Sequence, residues 1–328
     1  MTAKPLIEVR RLCVEHALEA TWPWQRAPHL RAVQEVNFNL YAGQTLGIVG
    51  ESGCGKSTLA RTLVGLKQPS AGAIVYRAPG QPDRELSGLD EAGWRPLRRE
   101  IQMVFQDPLA SLDPRMSVGR IVAEPLEALC PELGPDEREA RVLETLEQVG
   151  LSRAHVNRYP HEFSGGQCQR VGIARALVVR PRVLICDEPV SALDVSIQAQ
   201  IINLLRDIQR QQGLALLFIA HDLAVVRHIS HRVMVMYLGR VMEQAASEQL
   251  FAQPGHPYTR ALLRSVPQLH PSGTPHAILD GELPSQTEPP PGCAFATRCP
   301  MADETCNRQL PPVRRLASGS TVACHYAV

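Results

Sequence analysis

An α/β fold with a parallel sheet at its core is predicted by three features of this 328-residue sequence. An apolar run of strand length at 45–49 is followed by a glycine-rich turn and a helical pattern over 57–64. A second apolar run, at 183–186, ends in two carboxylates, and strand-like and helical patterns alternate from there to about residue 244. Because short, wholly apolar strands that alternate with helices are typical of parallel sheets covered on both faces, we expect a parallel core.

The turn after the first core strand has the sequence of a phosphate-binding loop. It is Gly50-Glu51-Ser52-Gly53-Cys54-Gly55-Lys56-Ser57, followed by Thr58, and is called the phosphate loop below. Its glycines allow backbone N–H groups to turn inward, and the positive end of the following helix faces the bound anion. We expect Lys56 to contact the β- and γ-phosphates and the Ser57 hydroxyl to bind Mg²⁺. The segment therefore predicts binding of a nucleoside triphosphate.

Two carboxylates, Asp187 and Glu188, follow the second apolar run. Such a pair is a weak signal alone, since strands often meet solvent at charged residues, but it is a strong signal in a chain with a phosphate loop. Asp187 is expected to hold Mg²⁺ through water, and Glu188 to polarise the water that attacks the γ-phosphate. The sequence therefore predicts hydrolysis as well as binding.

A second nucleotide-binding segment is predicted at Ser164-Gly165-Gly166-Gln167. Ser164 fits a helix N-cap and Gln167 fits the third helical position, which is the pattern of a capping box. We expect Gly165 and Gly166 to leave the first-turn N–H groups uncovered, so that the helix start becomes an open anion site. Because this segment lies far along the chain from the phosphate loop, the γ-phosphate that it contacts is expected to belong to a second molecule.

With these motifs in place, the sequence from about residue 5 to 250 resembles the ATP-binding subunits of ABC transporters. Three further segments occur in the family's order: Gln106 in its glutamine loop, Ser191-Ala192-Leu193-Asp194, and His221 after an apolar run. The resemblance implies that Gln106 contacts Mg²⁺ and the membrane subunits, that Asp194 lies in a loop contacting across a dimer, and that His221 orients the γ-phosphate. It also implies ATP and Mg²⁺ as the cofactors.

The resemblance extends the predicted fold class to an α/β, P-loop ABC-type ATPase with a RecA-like parallel-sheet core, an antiparallel β part and a helical subdomain at about 107–180. The ATPase domain is expected over 1–250, and a small cysteine-rich C-terminal extension over 251–328. Within the helical subdomain, an apolar stripe predicts a helix over 136–149, with Asp136 as its cap and Gly150 as its stop.

The C-terminal part of the chain is similar to dipeptide and oligopeptide importers, in the segments 256–263, 281–285 and 290–295. The similarity is to the F type of ATPase subunit. It implies a subunit that powers peptide import together with a homologous second ATPase subunit, two membrane permease subunits and a periplasmic or lipid-anchored substrate-binding protein. Import of nickel chelates, glutathione or a peptide-like compound is an alternative. A soluble, non-transport ABC ATPase fits less well, because the sequence shows neither a tandem ATPase core nor a long coiled-coil insertion.

Charge and hydropathy agree with this assignment. The chain has 34 Lys and Arg against 33 Asp and Glu, so no net field favours nucleic acid as a partner. No apolar stretch approaches the ~20 residues needed to span a bilayer, and the start of the chain lacks a signal-peptide core. We expect a location at the cytoplasmic face of the inner membrane, peripheral through the permease subunits.

Four cysteines, Cys293, Cys299, Cys306 and Cys324, lie close to the C-terminus. Cysteines of a cytosolic chain indicate thiols or metal rather than a disulfide framework. Their gaps are wider than the closely spaced pairs typical of zinc sites, whereas four thiolates suit a [4Fe-4S] iron–sulfur cluster, which the importer resemblance also implies. An iron–sulfur cluster, zinc and ordinary thiols therefore all stay open on sequence alone.

The adenine base needs a stacking partner ahead of the phosphate loop. The family places an aromatic side chain on the first strands, where His16 is the nearest equivalent by position. Trp22 and Trp24 are larger but lie in a predicted loop. His16 is the predicted adenine contact, and a solvent-facing strand histidine is the alternative.

Cys54 and Cys168 adjoin the two predicted phosphate-contacting segments. Because helix N-termini lower the pKa of a thiol, both are candidates for reactive thiols whose alkylation inhibits hydrolysis. Two unreactive small residues are the alternative.

Overall fold

The computed structural model of the protein describes residues 4–17, 29–265, 284–285, 287 and 289–327. Trp22 and Trp24, and most of the segment 281–285, therefore lie outside the described residues. Within the described ranges, no helix has both the length and the apolar character needed to cross a membrane.

Strands and helices alternate along much of the chain. The described strands are β1 (Ile7–Ala17), β2 (His29–Leu40), β3 (Thr45–Val49), β4 (Ala71–Tyr76), β5 (Arg84–Glu85), β6 (Ile101–Val104), β7 (Val183–Asp187), β8 (Ala215–Ile219), β9 (Arg232–Tyr237), β10 (Arg240–Ala246), β11 (Val313–Arg315) and β12 (Thr321–Ala323). The described α-helices are α1 (Lys56–Leu63), α2 (Glu91–Trp94), α3 (Val118–Leu129), α4 (Pro135–Gln148), α5 (Gly165–Leu177), α6 (Val195–Gln212), α7 (Leu223–Ile229), α8 (Ser247–Ala252), α9 (Pro257–Arg264) and α10 (Glu304–Arg308).

One compact unit comprises Met1–Leu6, Leu40–Thr45 and Gly88–Ala220. It contains β6, β7 and β8, which run parallel, with Val183 of β7 opposite Ala215 of β8. Every residue of β7 and β8 is buried, as expected for central strands of a parallel sheet. The predicted parallel strands at these positions are therefore confirmed, and the carboxyl end of β7 carries Asp187 to the edge of this sheet.

Helices α3, α4 and α5 pack against one another in the same unit. Their apolar stripes supply the contact, with Leu126 of α3, Leu146 of α4 and Val171 of α5 all buried. This burial follows from the helical spacing of apolar residues, which places them on one face. The three helices lie within the segment 107–180 that the sequence predicts to be helical.

The predicted cap of α4 is wrong. The helix begins at Pro135, with Gly134 rather than Asp136 as its N-cap, and Gly134 N donates to the Glu137 carboxylate at 3.1 Å. Proline suits the first helical position because its missing N–H would have no helical partner there. The predicted stop is confirmed, since Gly150 follows the helix with a φ of 78°.

The second compact unit comprises Ile7–Asn39, Leu46–Ser87 and His221–Val328. It contains a sheet in the order β2-β1-β4-β5, in which β1 and β5 each pair antiparallel with β4. It also contains β3, which pairs in parallel with β9, and β10, which pairs antiparallel with β9. Strand β3 leads directly into the phosphate loop and α1, as the sequence predicts for 45–64.

The cysteine-rich tail has regular structure that its sequence does not indicate. Strands β11 and β12 form an antiparallel pair, and β12 pairs with β10, placing Val322 opposite Glu243. Each tail strand has only three residues, which is too short for a period-two pattern to be recognised. Backbone pairing therefore attaches the tail to β10.

Candidate functional site

The phosphate loop adopts a conformation that requires its glycines. Gly50, Gly53 and Gly55 have φ values of 155°, 77° and 102°. A Cβ would lie 2.1 Å from Met236 O at Gly50 and 2.0 Å from Ala32 O at Gly55, so both positions also exclude a side chain by contact. The predicted tight turn is confirmed, and the loop packs directly against the backbone of neighbouring segments.

Lys56 begins α1, one position earlier than the predicted helix start at Ser57, and is only 4% exposed. Its ammonium donates hydrogen bonds to Gly50 O at 2.8 Å and to Glu51 O at 3.0 Å. Both acceptors are carbonyls of the loop itself, so these two bonds orient the ammonium without neutralising it. Ser57 and Thr58 follow in the first turn of α1, at the positive end of the helix dipole. The loop therefore presents a fixed cation and helix N–H groups, which fits a phosphate ligand.

His16 lies on β1 next to the start of α1. Its Nε2 is 3.5 Å from Thr58 Oγ1. Burial lowers the pKa of His16, and the charge of Lys67 lowers it further, so the ring is neutral at pH 7. A neutral, half-buried ring beside the phosphate loop suits a contact with a purine. The stacking contact itself stays a prediction.

The two predicted carboxylates lie at the end of β7. Asp187 is its last residue and is 2% exposed. Glu188 has a φ of 47°, in the left-handed region that residues with a side chain rarely adopt. Hydrogen bonds hold this backbone on both sides, because Glu188 N donates to Ile219 O at 3.0 Å and Ser191 N donates to Glu188 O at 3.3 Å. Backbone strain of this kind costs about 1–3 kcal/mol and is concentrated at functional sites.

Gln106 contacts Glu188 directly. Its side-chain Nε2 donates a hydrogen bond to Glu188 Oε2 at 3.2 Å, which brings together two predicted site residues that are 82 positions apart. Two apolar side chains near Gln106 are exposed, Phe105 at 36% and Leu109 at 57%. Exposed apolar side chains beside a polar site are consistent with a surface that contacts another protein.

The capping box predicted at Ser164 is confirmed. Ser164 is the N-cap of α5, its Oγ accepts from Gln167 N at 3.4 Å, and Gln167 Oε1 accepts from Ser164 N at 3.0 Å. The two glycines differ from their predicted common role. Gly165 is exposed, but Gly166 is buried, and a Cβ there would lie 2.5 Å from Ile197 Cγ2 of α6. Gly166 therefore allows α5 to pack closely on α6, while Ser164 and Gly165 are the exposed part of the helix start.

The segment 191–194 lies beside this helix start. A Cβ on Gly165 would be 3.6 Å from Leu193 Cδ2, an ordinary van der Waals distance. Asp194 is exposed and is the N-cap residue of α6, and the next residue, Val195, is 82% exposed. The structure thus brings two predicted inter-subunit segments, 164–167 and 191–194, next to each other at the surface of one unit.

His221 lies between β8 and α7 and is exposed. Asp222, the next residue, is the N-cap of α7, and its Oδ1 accepts from Ala224 N at 2.7 Å and from Val225 N at 3.4 Å. This cap fixes the direction of the chain immediately after His221. The role of His221 at the γ-phosphate stays a prediction.

The structure does not favour the predicted reactivity of Cys54 and Cys168. Both are buried, at 3% and 0% exposed. Burial raises the pKa of each thiol, and the Lys56 charge beside Cys54 offsets this effect only in part. A raised pKa leaves less thiolate at neutral pH, and burial restricts access, so the structure favours two unreactive residues.

The four tail cysteines lie close together in the structure. All are free thiols, and Cys293, Cys306 and Cys324 are buried while Cys299 is half-buried. Burial, together with the neighbouring thiols of the other three cysteines, raises the pKa of Cys293 to about 11. Cys299 and Cys306 likewise interact with each other and with Cys324. Among the described residues, no group of three or more His, Cys, Asp or Glu is arranged to hold a metal ion, so the structure adds no support for either the iron–sulfur or the zinc interpretation.

Two residues contact the phosphate loop that sequence reasoning did not assign to it, Tyr258 and Arg298. The Tyr258 hydroxyl accepts from Glu51 N at 3.0 Å, and Arg298 donates to the Glu51 carboxylate at 2.8 Å. Tyr258 lies in the segment 256–263 that carries the importer resemblance, which indicates that the position matters but not what its hydroxyl contacts. Arg298 is 247 positions from Glu51, and nothing in the local sequence indicates the pairing.

Two family models match the chain. One, described as ABC transporter, matches residues 33–191. The other, described as oligopeptide/dipeptide transporter, C-terminal region, matches residues 242–306. The second match includes both the segment 256–263 and the first three tail cysteines.

Curated relatives match nearly the whole chain. The oligopeptide transport ATP-binding protein OppF of Haemophilus influenzae is 50% identical over 324 residues, covering 97% of this chain and 96% of that protein. The protein of the same name from Escherichia coli is 51% identical over 313 residues, covering 94% of this chain and 92% of that protein. The di/tripeptide transport ATP-binding protein DppF of Pseudomonas aeruginosa is 50% identical over 299 residues, covering 91% and 90%.

Solved structures of ATP-binding cassettes are similar to this chain. A dimeric, post-hydrolysis cassette bound to ADP and Pi has a TM-score of 0.64 and 28% identity, covering 74% of this chain and 98% of that one. The cbiO1 subunit of Clostridium perfringens, part of the ABC transporter complex cbiONQ, has a TM-score of 0.63 and 31% identity, covering 76% and 92%. The fold is therefore the α/β fold of ABC cassettes, as the sequence predicts.

Proposed function

The chain belongs to the family of ATP-binding subunits of oligopeptide and dipeptide ABC transporters, and on this basis we propose that it powers the import of peptides across the inner membrane. As a member of this family it is an ATPase coupled to transport. The observation that carries the peptide assignment is about 50% identity to peptide-transport ATP-binding proteins over 91–97% of the chain. The matched importer-type C-terminal region supports the same assignment.

The proposed ATP contacts are the phosphate loop with Thr58, and His16 at the base. Lys56 binds the β- and γ-phosphates, and its burial and orientation by loop carbonyls support this role. Bound Mg²⁺ supplies charge neutralisation on the phosphates, and Ser57, Gln106 and Asp187 are the residues proposed to hold it. These roles follow from residue type and from the resemblance to the family.

Glu188 is the proposed general base, and His221 the residue that orients the γ-phosphate. The hydrogen bond from Gln106 and the strained, doubly held backbone of Glu188 support a fixed carboxylate. A carboxylate that is fixed in place can accept a proton from the attacking water without first reorganising.

The proposed partner across the nucleotide is a homologous second ATPase subunit. The exposed Ser164 and Gly165 supply an open helix start, and Asp194 and Val195 lie in the adjoining exposed segment. An exposed helix N-terminus attracts an anion, which fits the γ-phosphate held by the second subunit. The dimeric cassette among the similar structures supports this arrangement.

The proposed membrane partners are two permease subunits, with a substrate-binding protein on the far side delivering the peptide. Gln106 lies beside the exposed side chains of Phe105 and Leu109, a surface suited to a permease segment. The proposed location is the cytoplasmic face of the inner membrane, with attachment through the permeases. The proposed domains are an ATPase domain over 1–250, with a helical subdomain at about 107–180, and an extension over 251–328.

Uptake measurements test the cargo. In cells whose only copy of this chain carries Glu188→Gln, we expect loss of uptake of a labelled dipeptide while nickel uptake persists, because hydrolysis at this site powers the proposed transport. The matched control is Glu91→Gln, which changes a carboxylate whose side chain is 74% exposed and should leave uptake normal. Loss of nickel uptake alone would move the assignment to nickel chelates, and unchanged uptake of both would contradict the proposal.

We propose further that Cys293, Cys299, Cys306 and Cys324 hold a [4Fe-4S] cluster. Cys293 N donates to Cys306 O at 2.7 Å, and the thiols of Cys299, Cys306 and Cys324 raise the pKa of Cys293, so the four residues lie near one another. Four thiolates suit such a cluster. The cluster would supply a structural or redox-sensing centre.

Anaerobic purification tests the cluster. We expect about four irons and four sulfides per chain, with visible charge-transfer absorption, and loss of both in Cys306→Ser. The control is Cys13→Ser, a half-buried cysteine outside the tail, which should keep the cluster. A wild-type chain that contains zinc or no metal would contradict this proposal.

A further inference from the structure

Three groups of Glu51 are each held by a different side chain. Its N–H donates to the Tyr258 hydroxyl at 3.0 Å, its carboxylate accepts from Arg298 at 2.8 and 3.1 Å, and its carbonyl accepts from Lys56 Nζ at 3.0 Å. Lys56 is the predicted phosphate-binding lysine, whereas Tyr258 and Arg298 belong to the C-terminal segment. Glu51 therefore connects the C-terminal segment to the lysine of the phosphate loop.

The ion pair between Arg298 and Glu51 is withdrawn from solvent. Their side chains are 5% and 19% exposed. Arg298 also donates to the Tyr237 hydroxyl at 3.3 Å and lies 5.9 Å from the centre of its ring. Burial would lower the pKa of Arg298, but hydrogen bonds to Glu51 and Tyr237 outweigh it and raise the pKa, so the guanidinium stays charged. The attraction within a charge-assisted bond in such surroundings is screened less by water than that of a surface ion pair.

The Tyr258 hydroxyl is fixed in position by packing and by hydrogen bonds. The ring is fully buried, with its centre 4.7 Å from that of Tyr237 and 5.2 Å from that of Phe295. His256 caps α9, accepting from Tyr258 N at 3.0 Å, and Glu243 accepts from His256 N at 2.9 Å. Burial lowers the pKa of His256 to about 4, so the ring stays neutral and Nδ1 can accept. The first turn of α9 is therefore anchored, and it aims one hydroxyl at the phosphate loop.

The negative charge of Glu51 opposes nucleotide binding unless it is neutralised. A carboxylate in the phosphate loop repels an incoming triphosphate unless a cation neutralises it. Arg298 supplies that cation. The bond from Arg298 to the Glu51 carboxylate and the bond from Glu51 N to the Tyr258 hydroxyl together fix Glu51, whose carbonyl orients Lys56.

We propose that Arg298 and Tyr258 are positioning residues of the ATP site, which act through Glu51 to neutralise and orient the phosphate loop. The inference rests on the ATP binding proposed above for the phosphate loop. It gives the importer-type C-terminal region a part in nucleotide affinity in addition to any role in folding.

Equilibrium titration of Mg-ATP into the full-length chain tests the proposal. For Arg298→Gln we expect the Kd to rise about 5- to 150-fold, the range typical of coupling between sites, with one binding site per chain retained. Tyr258→Phe removes one neutral hydrogen bond and keeps the packed ring, so a rise of about two- to tenfold is expected. The matched control is Arg308→Gln in the same tail, whose side chain is 74% exposed, and its Kd should equal that of the wild type.

A double-mutant cycle separates positioning from simple destabilisation. Glu51→Gln removes the charge that Arg298 neutralises, so adding Glu51→Gln to Arg298→Gln should recover much of the lost affinity. Arg298→Lys, which keeps the charge, should lie between the wild type and Arg298→Gln. A structural role alone would lower the number of binding sites per chain at unchanged Kd, with no recovery in the double variant, and that result would overturn the proposal.

Titration of the wild-type chain distinguishes failure of the proposed ATP binding from failure of the positioning role. Wild-type binding together with an unchanged Kd in Tyr258→Phe and Arg298→Gln would overturn the positioning role alone. If Arg298→Gln does not fold, Tyr258→Phe is the test: a raised Kd would support the positioning role, and an unchanged Kd would overturn it. A wild-type chain that does not bind Mg-ATP would overturn the proposed function and this inference together.

Discussion

The Glu188→Gln variant is expected to hydrolyse ATP about 10²–10⁴-fold more slowly than the wild type while still binding ATP, because general base catalysis typically contributes this much. The amide has nearly the shape of the carboxylate, so it can still accept the hydrogen bond that Gln106 donates at 3.2 Å. The backbone at 188, with its φ of 47°, is held by hydrogen bonds to Ile219 and Ser191 that the substitution leaves in place. Only the ability to accept a proton is removed.

Steady-state ATP turnover of the assembled transporter, together with ATP binding by the same preparation, measures this effect. Glu91→Gln is the control, because it removes an exposed carboxylate paired with Arg98 and should leave turnover normal. Turnover within a few-fold of the wild type would show that Glu188 is not the base. Loss of binding as well as turnover would instead indicate a structural role for the carboxylate.

The parts of the site that could be predicted from sequence are those whose partners are close along the chain. The capping box of Ser164 and Gln167 is formed within four residues, and its residue types alone specify which atoms bond. The glycines of the phosphate loop can likewise be predicted locally, because the turn requires positive φ angles, which glycine adopts most readily. Wholly apolar strands such as β7 and β8 are recognisable because burial on both faces removes polar residues from them.

The parts that could not be predicted depend on contacts between distant segments. The sequence suggests that Gly166 leaves helix N–H groups uncovered. In the structure, however, a side chain at this position is excluded by Ile197, which lies on another helix. The left-handed backbone of Glu188 has no sequence signature, since only glycine and a few polar residues favour that region. The raised pKa of Cys168 also depends on burial by distant segments, which the local sequence does not show.

The C-terminal segment illustrates both cases. The motif at 256–263 marks Tyr258 as part of a family pattern, but only the folded chain shows that its hydroxyl accepts from Glu51 N. Arg298 is a lone arginine beside Cys299, and its partner lies in the phosphate loop. Because a long-range ion pair leaves no periodicity or spacing in the sequence, structure is required to find it.

The Lys56→Ala variant is expected to lose at least about 2 kcal/mol of ATP-binding free energy, which corresponds to about a thirtyfold rise in Kd. This is the lower end of the cost of removing one partner of a buried charged contact. The ammonium is 4% exposed, so its interaction with a phosphate is weakly screened by water. It is already oriented by Gly50 O and Glu51 O, so ATP binding requires little reordering of this side chain. Titration of Mg-ATP into the full-length chain measures the change.

Two further variants decide what Lys56 contributes. Lys4→Ala removes an exposed lysine near the start of the chain and should leave the Kd unchanged, which controls for net charge. Lys56→Arg keeps the charge, but its planar guanidinium is wider than the ammonium held between Gly50 O and Glu51 O, so only partial recovery is expected. A Kd for Lys56→Ala within threefold of the wild type would contradict the assigned role. In the proposed site Lys56 contacts the phosphates directly, whereas Arg298 acts through Glu51. Lys56→Ala should therefore weaken ATP binding at least as much as Arg298→Gln. A larger loss of affinity in Arg298→Gln would assign the dominant electrostatic effect to Glu51.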